Sequence, residues 1–333
     1  MFNYWVYPMT QPDILASVYE TIRDDLKNVD KTLKKLADND PTLLSEVLNY
    51  ILKTTGKRIR PAITLLASHF HRQGGETIGL MASAIELLHI ATLIHDDTVD
   101  NSSLRRGHAT ISSMWGDNTA VLVGDYIFAT SATFVCDTGN IRVVKRFAET
   151  IMELSSGQLA EMSRAYDISL TREDYFQRIY QKTASLFTTA SESGAILGGS
   201  PEKTVEALRN YGLNLGIAYQ ISDDILDFEG TSKEIGKPIG SDLSHGILTL
   251  PAIIALERNP KNNPIEYYCR QSGDQVALQE ALAMIQDKSI IEESYSVADG
   301  FSVKALETLE SLESNDAKLA LKELVPYLVR RRS

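Results

Sequence analysis

The segment from Thr77 to Asp100, TIGLMASAIELLHIATLIHDDTVD, decides the fold class of this chain. Apolar residues fall on every side of the helix that this segment predicts, until a last turn that contains Asp96, Asp97 and Asp100. A helix that is apolar all round belongs at the centre of a bundle, because it has no face suited to water. The segment therefore predicts a buried helix that carries carboxylates at one end, within an all-α fold.

Helical periodicity continues along most of the chain on both sides of this segment. Further predicted helices cover residues 12–37, 43–54, 62–71, 120–136, 141–163, 172–197, 204–228, 250–256 and 303–332. The stretch 229–246 contains four glycines and Pro238, and we predict a loop there. No repeat or linker divides the chain, so residues 1–333 are predicted to form a single domain. Residues 1–10 are expected to be an arm, either disordered or touching a second subunit.

Composition and charge exclude some classes of function. The chain has 333 residues, and its 33 Lys and Arg against 44 Asp and Glu give a net charge of −11. Nucleic-acid binding relies on clustered cations, so no nucleic-acid partner is expected. Cys136 and Cys269 have no metal-ligand spacing and predict reduced thiols in a cytoplasmic protein. We find neither a signal peptide nor an uninterrupted apolar run of the roughly 18 residues that a membrane span needs.

Two acidic clusters end predicted buried helices, and they are the main functional signal. In each cluster the first and last carboxylates are four residues apart and share one helix face. Acidic side chains are unfavourable there, because the C-terminal end of a helix already bears partial negative charge. Mg²⁺ would remove this conflict, and it is usually held by a few carboxylates together with substrate phosphates. The six candidate metal ligands are Asp96, Asp97, Asp100, Asp223, Asp224 and Asp227.

Isolated cations accompany the acidic clusters in this acidic chain. They are Lys57, Arg58 and Arg60 in the segment GKRIRP at 56–61, Arg105 and Arg106 after the first cluster, Lys182, and Lys237 after the second cluster. Pro61 predicts a helix N-terminus beside the first three, where anions bind favourably. Taken singly, each cation could instead be a solvated or charge-neutralising residue, and His89 could be an ordinary core histidine. Together they predict two anionic groups, one bridged by metal and one held directly by Lys and Arg.

At this point the motifs resemble those of the all-trans polyprenyl diphosphate synthases, which are head-to-tail isoprenyl transferases. The likeness extends from about Leu43 to Pro251. It rests on GKRIRP at 56–61, the first aspartate-rich region at 89–107, Gly124-Asp125-Tyr126, Gly157-Gln158, Lys182-Thr183-Ala184, the segment 219–224, and Gly236-Lys237-Pro238 followed by Asp242-Leu243. The resemblance implies an isoprenoid-synthase-type helical bundle around a central active-site cavity. It also implies condensation of isopentenyl diphosphate with an allylic prenyl diphosphate by ionisation, condensation and proton elimination.

The resemblance implies roles for individual residues, with three Mg²⁺ ions as cofactors. Asp96 and Asp100, supported by Asp97, would bind ions that bridge the allylic diphosphate. Asp223, with Asp224 and Asp227, would bind the third ion. The expected isopentenyl diphosphate contacts are Lys57, Arg60, His89 and Arg106, and the expected allylic diphosphate contacts are Arg105, Lys182 and Lys237. Thr183 and Gln220 would face the developing carbocation. Ile247 departs from the pattern, because many family members have Lys there.

Product length is expected to depend on the helix positions below Asp96. In short-chain members an aromatic residue commonly blocks the place of Ala91 or Thr92, and both residues are small here. The resemblance therefore implies a product of about thirty carbons or more, from a farnesyl or geranylgeranyl diphosphate primer. Leu88 would line the tunnel, and Phe134 would be either its floor or an ordinary core residue.

Three other functions remain as alternatives to a long-chain synthase. A short-chain farnesyl or geranylgeranyl diphosphate synthase would have the same chemistry. A class I terpene cyclase is disfavoured by the complete second aspartate motif and by Lys57 and Arg60. A regulatory subunit of a heteromeric synthase typically lacks aspartates that are all present here. The resemblance implies a homodimer through the apolar stretch 121–134. A requirement for a different partner subunit remains an alternative. The product is expected to pass to membrane enzymes.

Overall fold

A computed structural model describes residues 11–37, 42–54, 56–71, 75–105, 107–229 and 239–330. Its helices up to the hairpin are α1 (Gln11–Glu20), α2 (Arg23–Lys35), α3 (Leu43–Thr54), α4 (Ile59–Ser68) and α5 (Glu76–Val99). A short antiparallel hairpin pairs β1 (Leu104–Arg105) with β2 (His108–Ala109). The following helices are α6 (Ile111–Trp115), α7 (Asp117–Asp137), α8 (Ile141–Ser163), α9 (Arg172–Ile179), a π-turn (Tyr180–Ala184), α10 (Ser185–Leu197) and α11 (Glu202–Glu229). The last helices are α12 (Ser241–Ser244), α13 (Leu250–Arg258), α14 (Pro264–Arg270), α15 (Gln275–Ile285), α16 (Lys288–Glu310) and α17 (Asp316–Val329).

Helix α10 lies at the centre of the bundle and packs against α4, α5, α8 and α11. Its side chains are mostly small, which lets these neighbours approach closely. At Gly194, for example, a Cβ atom would lie 2.1 Å from the carbonyl oxygen of Thr64. Its buried hydroxyls are satisfied locally, because Thr188 and Ser191 donate to carbonyl oxygens four residues earlier. The all-α prediction is confirmed, and α5 is buried as its sequence predicts.

Several helix bounds differ from the predictions for a tertiary reason. The single helix predicted over 12–37 is two helices, because α1 packs against α17 whereas α2 packs against α4 and α5. The predicted C-terminal helix is also two helices, and the side chain of Asn315 accepts a hydrogen bond from the Lys318 amide to cap the second. The periodicity missed α6, α12, α14 and α15, which are short, and α12 lies within the stretch 229–246 that was predicted to be a loop. Helix α16 also begins at Lys288, well before the predicted start at residue 303. The predicted arm at 1–10 lies outside the described residues.

Helices α5 and α7 are long and apolar enough, by length and composition, to cross a membrane. Burial inside the bundle accounts for the apolar character of α5, since most of its apolar window is covered by neighbouring helices. Helix α7 is different, because only about a third of its window is buried. Its uncovered face presents Val121, Leu122 and Tyr126 to solvent. An exposed apolar face of this kind is typical of a surface that contacts a protein or a membrane.

Candidate active site

The C-terminal end of α5 places the first acidic cluster beside a cation from the hairpin. Both oxygens of Asp97 accept hydrogen bonds from Nε of Arg105, at 2.7 and 2.8 Å. Asp97 is buried, whereas Asp96 is half-buried and Asp100 caps the helix in solvent. The two carboxylates predicted to bind metal most directly, Asp96 and Asp100, are therefore the more open ones. The geometry of Asp97 supports a role in holding Arg105, and its predicted ligation of metal stays a prediction.

Lys182 connects this cluster to a carboxylate that the sequence analysis did not select. Its Nζ donates a hydrogen bond to Glu161 of α8, a side chain that is only 11% exposed. Burial alone would lower the pKa of Lys182, but Glu161, Asp96 and Asp100 raise it above its ordinary value. Burial raises the pKa of Asp96 to about 6, with Lys182 opposing the rise and Asp100 adding to it. Opposite charges thus face each other across a partly desolvated site.

Lys182 and Thr183 belong to the π-turn between α9 and α10. A π-turn has one more residue than an α-helical turn, and such turns are frequent at functional sites. Two glycines, one on each of two neighbouring helices, allow those helices to approach the π-turn closely. A Cβ atom at Gly157 of α8 would lie 3.0 Å from the Lys182 amide nitrogen, and one at Gly216 of α11 would lie 2.6 Å from Cα of Ala184. The turn is therefore clamped between α8 and α11.

A chain of hydrogen bonds runs from the π-turn into the second acidic cluster. The Thr183 hydroxyl donates to Oε1 of Gln220 at 2.6 Å, and Nε2 of Gln220 donates to Oδ1 of Asp224 at 2.7 Å. The hydroxyl of Tyr175, which is fully buried, donates to the other oxygen of Asp224 at 2.6 Å. Burial and the nearby Asp242 raise the pKa of Asp224 to about 8, against the hydrogen bonds from Tyr175 and Gln220. The structure thus brings the predicted residues Thr183, Gln220 and Asp224 together.

Asp227 of the second acidic cluster contacts a further acidic residue, Asp242 of α12. Asp227 is buried, and its Oδ2 accepts a hydrogen bond from the Asp242 amide at 3.1 Å. Asp223 is half-buried on the same helix. Asp242 lies close enough to act on the pKa of Asp224, so it is a fourth acidic side chain beside the second cluster. Ile247, the departure from the family pattern, is half-buried just beyond it.

A cavity of about 550 Å³ brings four of the predicted diphosphate contacts to one place, whereas Lys182 is not among its lining residues. Lys57, Arg60, His89 and Arg105 all line it. Nη1 of Arg60 lies 3.1 Å from Nε2 of His89, and its guanidinium carbon lies 4.6 Å from the centre of the Phe187 ring. This concave surface with several cations suits a diphosphate.

The four residues predicted to control product length do not line this cavity. Leu88 and Ala91 are buried in α5, and Thr92 is half-buried and donates a hydrogen bond to the His89 carbonyl at 2.8 Å. Phe134 is half-buried on α7, which packs along α5. All four lie on these two helices, but the tunnel itself stays a prediction. Arg106 and Lys237, both predicted diphosphate contacts, lie outside the described residues.

Sequence reasoning missed the residues that surround the predicted ones. Glu161 follows Gly157-Gln158 by one helical turn, so that spacing could have selected it. Asp242 was quoted within a motif but was not proposed as an acidic site residue. Tyr175 has no local signal, because a tyrosine in an amphipathic helix is typical of an ordinary core position.

The donor set fits a hard divalent cation that shares its coordination with a substrate. Asp96 is a carboxylate that burial makes costly to ionise, and a nearby cation would offset that cost. Across the ranges that the structure describes, no three His, Cys, Asp or Glu side chains form a metal-binding group by themselves. Mg²⁺ sites of this open kind are completed by water and substrate phosphates. The residues present therefore fit Mg²⁺ together with a diphosphate.

Comparison with known proteins agrees with this arrangement. Residues 41–285 match the family model described as Polyprenyl synthetase. The chain is 36% identical to heptaprenyl diphosphate synthase component 2 of Geobacillus stearothermophilus, over 95% of this chain and 99% of that protein. It is 35% identical to solanesyl-diphosphate synthase 2, chloroplastic, of Oryza sativa subsp. japonica, over 95% and 80% of the two chains.

Solved structures show the same fold. The crystal structure of heptaprenyl diphosphate synthase from Staphylococcus aureus superposes with a TM-score of 0.90 at 33% identity, covering 94% of this chain and 99% of that one. This match confirms the predicted isoprenoid-synthase bundle. Because the family model spans most of the chain and these relatives align over most of their lengths, the chain belongs to the polyprenyl synthetase family of prenyltransferases.

Proposed function

We propose that this protein condenses isopentenyl diphosphate with an allylic prenyl diphosphate to make a medium- or long-chain all-trans polyprenyl diphosphate. One observation carries the proposal: the π-turn contains both Lys182, whose pKa Asp96 and Asp100 raise, and Thr183, which is hydrogen-bonded through Gln220 to Asp224 of the second cluster. The cavity lined by Lys57, Arg60 and His89 supplies the site for the second diphosphate.

The residues of α5, α11 and the π-turn would act on the leaving group. Asp96, Asp100 and Asp223 would hold Mg²⁺, three ions in all, and Lys182 would contact the departing diphosphate directly. When bound, Mg²⁺ neutralises charge that develops on the leaving diphosphate oxygen. Asp224 is already hydrogen-bonded by Tyr175 and Gln220. We therefore assign Asp224 to orienting Gln220, and Asp97 to orienting Arg105.

Thr183 and Gln220 would stabilise the allylic cation that forms when diphosphate leaves. Because the Thr183 hydroxyl proton is donated to Gln220, the hydroxyl lone pairs stay available to a positive carbon. Preoriented dipoles of this kind stabilise developing charge more effectively than water does. The double bond of isopentenyl diphosphate then forms the new carbon–carbon bond. We assign the proton that is lost to the departed diphosphate, so no protein nucleophile is required.

We predict a metal-dependent ladder of products from the pure protein. The assay would combine isotopically labelled isopentenyl diphosphate, farnesyl diphosphate and Mg²⁺, and resolve the products by chain length. The ladder is expected to end at about thirty carbons or more, and EDTA is expected to abolish it because the diphosphate cannot then leave. A product that stops at fifteen or twenty carbons would keep the chemistry and contradict the long-chain assignment.

The name of a relative points to a second candidate function. The protein of Geobacillus stearothermophilus is named component 2 of a heptaprenyl diphosphate synthase, which points to a second component of that enzyme. If this chain also needs a different subunit, the pure protein would show no condensation with any allylic primer. The presence of both aspartate motifs and of the cation-lined cavity favours an active subunit over a regulatory one.

We propose a homodimer that covers the exposed apolar face of α7 and α8. Leu122 is 68% exposed, and Leu159 and Met152 of α8 are similarly uncovered. Leu122→Glu is expected to convert the dimer into a monomer of 36.9 kDa, because a carboxylate would be buried at the interface. Light scattering after gel filtration would measure the mass. Leu319→Glu, at an exposed leucine of α17, is the matched control and should leave the mass unchanged. A Leu122→Glu protein that keeps the dimer mass would contradict this interface.

We propose that the enzyme works in the cytoplasm and passes its product to membrane enzymes. Its two cysteines are both unpaired, as suits a reducing compartment. A polyprenyl chain is apolar along nearly its whole length, so its next acceptor is expected at a membrane. Fractionation of cells with an antibody against the protein would test the location.

A further inference from the structure

The loop that leads into α4 contains a residue whose conformation the proposed chemistry does not explain. Arg58 has φ 54° and ψ 33°, in the left-handed region. Residues with a Cβ atom rarely adopt this region, because Cβ crowds the following carbonyl group. Arg58 is the N-cap residue of α4, yet its side chain makes no capping hydrogen bond there. Another interaction must hold the backbone in place.

The side chain of Arg58 supplies that interaction. Its Nε donates to Oδ1 of Asp30 on α2 at 3.1 Å, and its Nη1 donates to Oε1 of Glu86 on α5 at 2.7 Å. The Arg58 side chain is 13% exposed and the Glu86 side chain is 5% exposed. A planar guanidinium can bridge two carboxylates in fixed geometry, which an ammonium group cannot do. The guanidinium is thus committed to two neighbouring helices.

Helix α5 contacts the segment around Arg58 at two positions that are one helical turn apart. Glu86 and His89 are three residues apart and share a helix face. Glu86 binds Arg58, and His89 lies 3.1 Å from Arg60. The helix that ends in the first aspartate cluster therefore also sets the position of this basic loop.

The backbone on the other side of Arg58 is held as well. The Tyr19 hydroxyl of α1 donates to the carbonyl oxygen of Lys57, and Nζ of Lys57 lies 5.1 Å from the centre of the Tyr327 ring. Lys57 and Arg60 both line the cavity, one on each side of the left-handed residue. A change of backbone conformation at Arg58 would move these two cations relative to each other.

We propose that Arg58 is a positioning residue for the isopentenyl diphosphate site, a role that rests on the function proposed above. Its bridge between Asp30 and Glu86 holds the left-handed turn, and the turn places Lys57 and Arg60 around one diphosphate. Arg58 also lines the cavity, but its guanidinium is already engaged by Asp30 and Glu86. We therefore assign its effect on the substrate to the positions of Lys57 and Arg60.

A comparison of Arg58→Ala with Arg58→Gly distinguishes a positioning role of Arg58 from direct binding of the diphosphate. Both changes remove the guanidinium, but only glycine adopts the left-handed turn without steric cost. Both are made in the Glu86→Gln background, so that no buried carboxylate loses its partner. Relative to Glu86→Gln alone, Arg58→Ala is expected to raise KM for isopentenyl diphosphate about tenfold more than Arg58→Gly does, in line with the cost of a left-handed backbone. KM for farnesyl diphosphate should change less than about twofold, because the Arg58 side chain is bonded to Asp30 and Glu86 and to none of the predicted allylic-site residues that the structure describes.

The controls separate failure of this role from failure of the proposed function. Asn262 also has a left-handed φ, 52°, in an exposed loop, so Asn262→Ala and Asn262→Gly should leave both KM values unchanged. If the wild-type protein condenses the substrates but Ala and Gly at 58 raise KM equally, Arg58 binds diphosphate directly and the positioning role is wrong. If neither raises KM, it is also wrong. Should the alanine protein fail to fold, Arg58→Lys in the wild-type background is expected to raise KM for isopentenyl diphosphate alone, and an unchanged KM would overturn the proposal.

Discussion

Asp96→Asn is expected to lower kcat by about 10³-fold or more, while the protein stays folded. The amide keeps the shape of the side chain but removes the negative charge that would hold Mg²⁺ against the allylic diphosphate. Asp96 is half-buried beside Asp100, and burial makes its charged form costly. Loss of that charge at a helix C-terminus should leave the melting temperature unchanged or slightly raised. Steady-state kinetics and thermal unfolding would measure the two effects.

A matched aspartate provides the control for this experiment. Asp137 ends α7 as an exposed carboxylate, and Asp137→Asn should change neither kcat nor the melting temperature measurably. An Asp96→Asn protein with more than about a tenth of wild-type kcat would show that Asp96 is not required for ionisation. If Asp96→Asn also unfolded the protein, the carboxylate would have a structural role that its position at the helix end does not explain.

Thr92→Phe is expected to remove every product longer than about twenty carbons. Thr92 lies one helical turn before Asp96 and is half-buried, so a phenylalanine ring there would project from the same face as the aspartate. If the growing chain passes this position, the ring blocks it after about one condensation of the farnesyl primer. Chromatography of labelled products would show the shift as a ladder that ends early.

Thr92→Val separates the size of the side chain from its hydrogen bond. Valine has nearly the volume of threonine but cannot donate to the His89 carbonyl, as Thr92 does. The valine protein is expected to keep the wild-type product length. A Thr92→Phe protein that still makes the longest wild-type product would place the tunnel along another face of α5.

Much of the fold was predictable from local pattern. Helices α3 and α8 have the predicted bounds, and α5 differs by one residue at each end, because these helices have clear apolar stripes or clear end signals. The break between α1 and α2 was not predictable, since the two helices differ in the elements on which they pack. The centre of the bundle was also hard to identify, because α10 is rich in Ser and Thr that satisfy their hydroxyls within the helix.

The parts of the candidate site that could be predicted are acidic residues placed where negative charge is unfavourable. Acidic residues at the ends of buried helices need compensation, and that conflict selected Asp96 and Asp223 from the sequence alone. The partners of these residues come from distant segments and make no such conflict. Glu161 of α8 was not selected from the sequence, although it accepts a hydrogen bond from Lys182. Only the fold brings these segments together.

The π-turn has a consequence for protein engineering. An α-helix advances about 100° per residue, so the one extra residue of Tyr180–Ala184 rotates every later position by that angle relative to α9. A helical-wheel projection drawn continuously through 172–197 would therefore assign the wrong azimuth to all of α10. A mutant library that chose positions by counting in threes and fours from Arg172 would therefore mix residues from different faces of α10. The register for such a library has to be restarted at Ser185.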